Sequence, residues 1–115
     1  MSAHTDQELM ELAAKAAEPL IQMGRFGPGQ CWLQPDEVLD GLKPWNPLTD
    51  DGDALRLAVK LNIDFYSGND EGAATFAGYF IGTVQKYTIV QHGDDPYAAT
   101  RRAIVRAAAE IGGAA

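Results

Sequence analysis

The sequence predicts an α+β protein, a three-layer α/β/α sandwich with three main helices and a small, mostly antiparallel sheet of three or four strands. Three observations predict it. Three segments carry apolar residues at helical spacing behind start signals of the right chemistry. Three short segments between Asn62 and Gln91 read as strands, with turns short enough for an antiparallel meander. Those strands are apolar on both faces, so the sheet calls for cover on both.

The first helix starts at Thr5. Thr5 and Glu8 form a capping box, in which each side chain satisfies an orphan amide of the first turn. Leu9, Leu12, Ala13, Ala16, Ala17 and Leu20 then recur on one face, and Glu11 and Lys15 stand in the favourable i,i+4 order. Pro19 ends or kinks the helix near Glu18. GRFGPGQ, Gly24 to Gln30, reads as a loop; it lacks the GK[ST] of a phosphate cradle. Gln30 to Gln34 reads as a short strand. Pro35 to Leu42 reads as one helical turn, with Pro35 at its first position and Gly41 at its stop.

A second helix is predicted from about Asp51 to Leu61. Only Arg56 and Lys60 are strongly polar in its body, so most of its circumference calls for cover. The strands follow as Asn62 to Ser67, Ala74 to Ile81 and Val84 to Gln91. In the second, Phe76 and Phe80 face one way and Ala77, Tyr79 and Ile81 the other. In the third, Val84 and Val90 alternate with Tyr87 and Ile89. The turns between them are GNDEG (68–72) and the Gly82 region. The last helix is capped by Asp95, with Pro96 at its first position and Asp94 adding a favourable charge. Tyr97, Ile104, Val105, Ala108 and Ile111 supply its buried stripe, and Gly112 its stop.

The 115 residues amount to one domain spanning 1–115, with 1–4 and 113–115 expected to be flexible. Hydrophobic residues make up 46% and charged residues 22%, ordinary values for a soluble globular chain. A net charge of −7 disfavours duplex nucleic acid and anionic membrane surfaces as partners, because both are bound through Lys and Arg. The same balance suits docking on a basic partner. Cys31 is the only cysteine, so no internal disulfide and no thiolate zinc cluster can form; beside Trp32 it reads as a buried, unreactive thiol. The acidic N-terminus lacks the basic start and apolar core of a secretory signal, which makes the cytoplasm, bacterial or host, the expected compartment.

Chemistry has two acidic candidates. In WNPLTDDGD, Trp45 to Asp53, the acids resemble part of a calcium loop. The required glutamate at the twelfth position is missing, since counting from Asp50 or Asp51 lands on Leu61 or Asn62. Helix capping explains the same residues: Thr49, Asp50 or Asp51 caps, the acids complement the dipole, and Trp45, Asn46 and Leu48 sit over the helix start. His92 with Asp94 or Asp95 is a weak candidate for acid–base chemistry. No catalytic signature, metal site or cofactor is expected. Arg101, Arg102 and Arg106 offer an anion site if they converge; otherwise Arg102, Arg106 and Glu110 form a solvated line.

WNPLTDDGDALRLAVKL (45–61) and GDDPYAATRRAIVRAAAEIG (93–112) together resemble the phage ABA sandwich domain, a family of small phage and prophage accessory proteins. ELMELAAKAA (8–17) resembles its opening helix. The resemblance implies the three-layer fold and a phage or prophage origin, and it brings no catalytic residues. The GRFGPGQ loop and the PDEVLDGLKP segment depart from it. The expected function is non-enzymatic binding to a host or phage protein, with sequestration of an anionic nucleotide or metabolite as the alternative. A homodimer is compatible with the apolar helix at 51–61.

Overall fold

The structure, a computed structural model, describes residues 4–26, 29–68 and 73–114. The elements run α1 (Asp6–Ala16), β1 (Gln22–Phe26), β2 (Gly29–Pro35), β3 (Leu42–Pro44), α2 (Asp51–Leu61), β4 (Asp64–Ser67), β5 (Ala74–Ile81), β6 (Val84–Gln91) and α3 (Pro96–Ala114). The α+β class and its three helices hold, and the strands form two antiparallel sheets, β1–β2–β3 and β4–β5–β6. No helix of the described residues is long and apolar enough to cross a membrane.

The capping box at α1 is formed in both directions. The Glu8 amide donates to Thr5 Oγ1 at 3.1 Å, and the Thr5 amide donates to Glu8 Oε1 at 3.0 Å. The bond from the Thr5 amide holds the Glu8 carboxyl below its ordinary pKa. A depressed folded-state value means this cap contributes above the usual glutamate pKa and is lost as pH falls through the lower one.

Three segments before β4 differ from the sequence prediction. Gly24 to Phe26 is strand, not loop: β1 and β2 pair with Gly24 opposite Cys31. Glycine serves there for close approach, because a Cβ would lie 2.6 Å from Leu33 Cδ1. Cys31 itself is only half-buried. Pro35 to Leu42 is not a helical turn but the link of a second hairpin. Asp36 Oδ1 accepts from the amides of Val38 and Leu39, at 3.0 and 3.1 Å, and Pro35 pairs with Leu42 across the sheet. Asn62 belongs to α2 rather than to the following strand, capping the helix in the left-handed region at φ 56°.

The β4–β5–β6 meander lies in the expected register. Phe76 stands between Tyr66 and Ile89, and Tyr79 faces Lys86. Gly82 turns the β5–β6 hairpin at φ 64°, where a side chain would be strained. Thr75, Ala77 and Tyr79 point inward and are buried beneath α3, and Thr88 Oγ1 donates to the Ala103 carbonyl at 3.0 Å. Burial, with the nearby Glu110 charge, pushes the Tyr79 hydroxyl above its ordinary pKa.

α3 is the centre of the layer order. It packs on the inner face of β4–β5–β6, while α1 and α2 pack on its other sides. Ala99, Ala103, Ala107, Ala108 and Ala109 keep its surface thin, and Ile104 and Val105 fill the core, each worth ~1.5–3 kcal/mol of burial. The helix does not stop at Gly112 but runs through Gly113 to Ala114. Gly112 has another use: a Cβ there would overlap the Leu12 carbonyl oxygen of α1. The outer face of β4–β5–β6 carries no helix among the described residues, and Tyr66, Phe76, Phe80, Tyr87 and Ile89 lie exposed on it. The cover that its two-sided pattern calls for is therefore supplied on one side only.

The contact between α1 and α3 can be weighed with two neighbouring glycines. Gly112→Ala is expected to lower the unfolding free energy by about 1–3 kcal/mol, through overpacking against α1. Gly113→Ala, where a Cβ meets only Leu12 Cδ2 at 3.8 Å, should be neutral or gain a few tenths. Urea unfolding of both variants checks the difference.

Candidate functional site

The acids at the start of α2 go to three separate partners. Asp50 is the N-cap, and its Oδ2 accepts from the Asp53 amide at 2.8 Å. Asp51, the next residue, accepts from Arg101 of α3 at 2.7 Å. Asp53 is buried, and its carboxylate is fully engaged. Oδ1 accepts from Gln34 Nε2 and Arg56 Nη2, both at 2.7 Å, and Oδ2 from the Asn46 amide at 3.0 Å. Gln34 also donates to the Pro44 carbonyl at 3.0 Å. One carboxylate thus ties β2, the strand-to-helix loop and α2 together. Trp45 is buried beside it, Asn46 Oδ1 accepts from the Leu48 amide at 3.0 Å, and Thr49 stays exposed. An acid three residues after the cap is legible in the sequence; its burial is not, because that depends on Gln34 from another element.

This knot fixes one wall of a groove. The outward face of α2, with Leu55, Arg56, Val59 and Lys60, forms one side. The opposite side is built by Leu20 and Ile21 after α1, Gln34 and Pro35 of β2, and Glu37, Val38 and Lys43 of the second hairpin. Its volume is about 600 Å³. Leu55 is 53% exposed and Val59 75%, so the all-round apolar helix predicted at 51–61 is not covered as its composition calls for. Three cations and one acid line the groove, a local excess of positive charge on a chain of net charge −7. Asp53 and Asp50 answer Arg56, whereas Lys43 and Lys60 form no ion pair among the described residues.

A second cavity of about 460 Å³ lies on the other side of Leu55, between the starts of α2 and α3 and strand β4. Phe65, Leu55 and Ile104 give it apolar walls, and Ser67, Tyr97, Thr100 and Arg101 give it polar ones. Behind it runs a hydroxyl chain. His92 Nε2 lies 3.0 Å from Ser67 Oγ and 2.9 Å from Thr75 Oγ1, and Thr75 Oγ1 lies 2.8 Å from Thr100 Oγ1. Thr100 donates to the Pro96 carbonyl at 2.8 Å, which spends its only proton. Thr75 must then donate to Thr100, and the oxygen it leaves free accepts from Nε2–H of His92. The ring nitrogen facing Ser67 is therefore a donor. A base for a serine nucleophile must accept at that position, so the wiring is that of a structural bridge from β5 to α3.

His92 is not joined to either acid that the sequence places beside it. Asp95 Oδ1 accepts from the amides of Tyr97 and Ala98, at 3.0 and 3.1 Å, and Asp94 is exposed in the preceding turn. The arginines of α3 do not converge. Arg101 donates to the Leu48 carbonyl at 2.9 Å and pairs with Asp51. Arg102 pairs with Asp6 at the start of α1, at 2.9 Å, and Arg106 is exposed. Two of the three bind α3 to the N-terminal turns of its neighbouring helices, where acids also suit the helix dipole. Compared with protein-family models, curated proteins and solved structures, the chain matches none.

The Asp53 knot yields a stability prediction. Asp53→Ala strands the buried side-chain amide of Gln34, the partly buried backbone amide of Asn46 and the Arg56 guanidinium, and is expected to cost about 2–4 kcal/mol in urea unfolding. Asp51→Ala, which loses an exposed carboxylate, should cost under about 1 kcal/mol.

Proposed function

We propose that this protein is a non-enzymatic binding protein, a phage or prophage accessory factor that docks a host or phage protein. The groove between α2 and the β1–β2–β3 sheet takes an acidic amphipathic segment of that partner. The phage setting rests on the resemblance of segments 45–61 and 93–112. The docking mode rests on one observation: an open apolar groove with a basic rim on an otherwise acidic chain. An amphipathic helix fits such a surface with apolar anchors at i, i+4 and i+7 against Leu20, Val38, Leu55 and Val59. Its acids meet Lys43 and Lys60, which steer approach and select against basic partners. Most of the groove's lining residues are apolar, as in a patch whose centre is dehydrated on binding.

The test uses a synthetic acidic amphipathic helix, its basic counterpart, and a scrambled acidic peptide of equal charge. The acidic helix is expected to shift the amide resonances of Leu55, Val59 and Lys60, and the other two peptides are not. Val59→Asp should weaken that binding at least about tenfold, because a charge is placed at the apolar centre. Equal response to the scrambled peptide, or shifts confined to another surface, would sink this reading.

A further inference from the structure

The outer face of β4–β5–β6 is a second uncovered surface, separate from the groove, and the following does not rest on the groove's function. We infer that this face is the contact between two copies of the chain, sheet packed on sheet across a two-fold axis.

The register places Tyr66 of β4, Phe76 and Phe80 of β5, and Tyr87 and Ile89 of β6 on one side of the sheet. All are exposed; Tyr66 is 69% accessible and Tyr87 60%. Large side chains left half-open on this scale present on the order of 500 Å² of apolar surface, more than most monomers expose in one patch. With its polar margin the face approaches the roughly 800 Å² that each partner buries in a standard interface. The centre is even: the Tyr87 ring lies over Gly78, where a Cβ would come within 3.1 Å of Tyr87 Cε1. A ring therefore fills the place of the missing side chain, and no notch interrupts the surface.

Charge selects the occupant. Of the residues whose register turns them outward from Asp64 to Gln91, only Asp64 is ionisable near neutrality, and it stands at the end of β4. Lys86 lies opposite Tyr79 and belongs to the other side of the sheet. A nucleic acid or an anionic membrane needs cations, and this face has none among the described residues. A second copy, itself at −7, can approach only where charge is least, and this face is such a place. Two right-twisted sheets pack face to face about 10 Å apart, and a two-fold axis makes the contact self-complementary. The resulting dimer stacks helix, sheet, sheet and helix, so each sheet gains the cover on its second face that its sequence pattern calls for.

The test is sedimentation equilibrium of the full chain over a dilution series, with paired charge variants. The wild-type chain is expected to dimerise reversibly. Phe76→Lys and Phe76→Glu alone should each weaken dimerisation at least about tenfold, and an equimolar mixture of the two should restore a heterodimer. Restoration separates a broken interface from a misfolded variant. Val59→Asp, in the groove, should leave dimerisation unchanged. A wild-type chain that stays monomeric at every concentration overturns the inference. So does a dimer that survives both Phe76 variants or is lost with Val59→Asp, and so does failure of the mixture to associate.

Discussion

The three helices and the β4–β5–β6 sheet are arranged around how closely other elements can approach α3. Gly112 lets the backbone of α1 at Leu12 lie against α3 with no side chain between them. The alanine surface from Ala99 to Ala109 allows the same closeness on the remaining sides. Interiors are packed near crystal density, so such a contact has little room to adjust. Arg101 and Arg102 lock the approach electrostatically, one at the first turn of α2 and the other at that of α1. A helix with bulkier residues in these places would hold its neighbours further off, and the small core of a chain this size would open.

Using α3 in this way has a consequence at the periphery. Its sides are occupied by α1, α2 and the inner face of β4–β5–β6, so one helix organises the core while two apolar surfaces lie beyond its reach. One is the outward face of α2, which joins the first sheet in a basic-rimmed groove. The other is the aromatic face of β4–β5–β6. Neither results from poor folding elsewhere: the groove wall is held by the Asp53 carboxylate, and the sheet is backed by the His92–Thr75–Thr100 hydroxyl chain. Both surfaces are apolar and open, and each is held in place by polar contacts on its inner side.

Much of the fold was legible in the sequence, and the failures share a physical cause. The capping box at Thr5 and Glu8, a cap among Thr49, Asp50 and Asp51, which falls to Asp50, and the alternation from Ala74 to Gln91 are local signals, and the structure contains each of them. Gly24 and Gly112 were misread because glycine marks both a break and a close approach, and only the neighbouring element decides between them. Pro35 to Leu42 looked like a helical turn, since the Asx turn that Asp36 makes uses the same residue types. Asp53 looked like one more helix-start acid; its burial depends on Gln34, 19 residues earlier. The groove left a trace in the sequence, the all-round apolarity of α2, but composition alone does not say whether cover comes from within the chain or from outside it. The arginines of α3 could not be assigned at all without knowing that Asp6 and Asp51 lie within their reach.

α3 is the common support of β4–β5–β6 and of both other helices. Residue-resolved native-state hydrogen exchange of the full chain measures this directly, because it ranks elements by the free energy needed to open them. The amides of α3 from Ala103 to Ala108, with those of Thr75 to Tyr79 in β5, should exchange last and only by global unfolding. β1–β2–β3 should open earlier. If the slowest amides lie instead in β1–β2–β3, or if α3 opens while that sheet stays protected, α3 is not the element on which the structure depends.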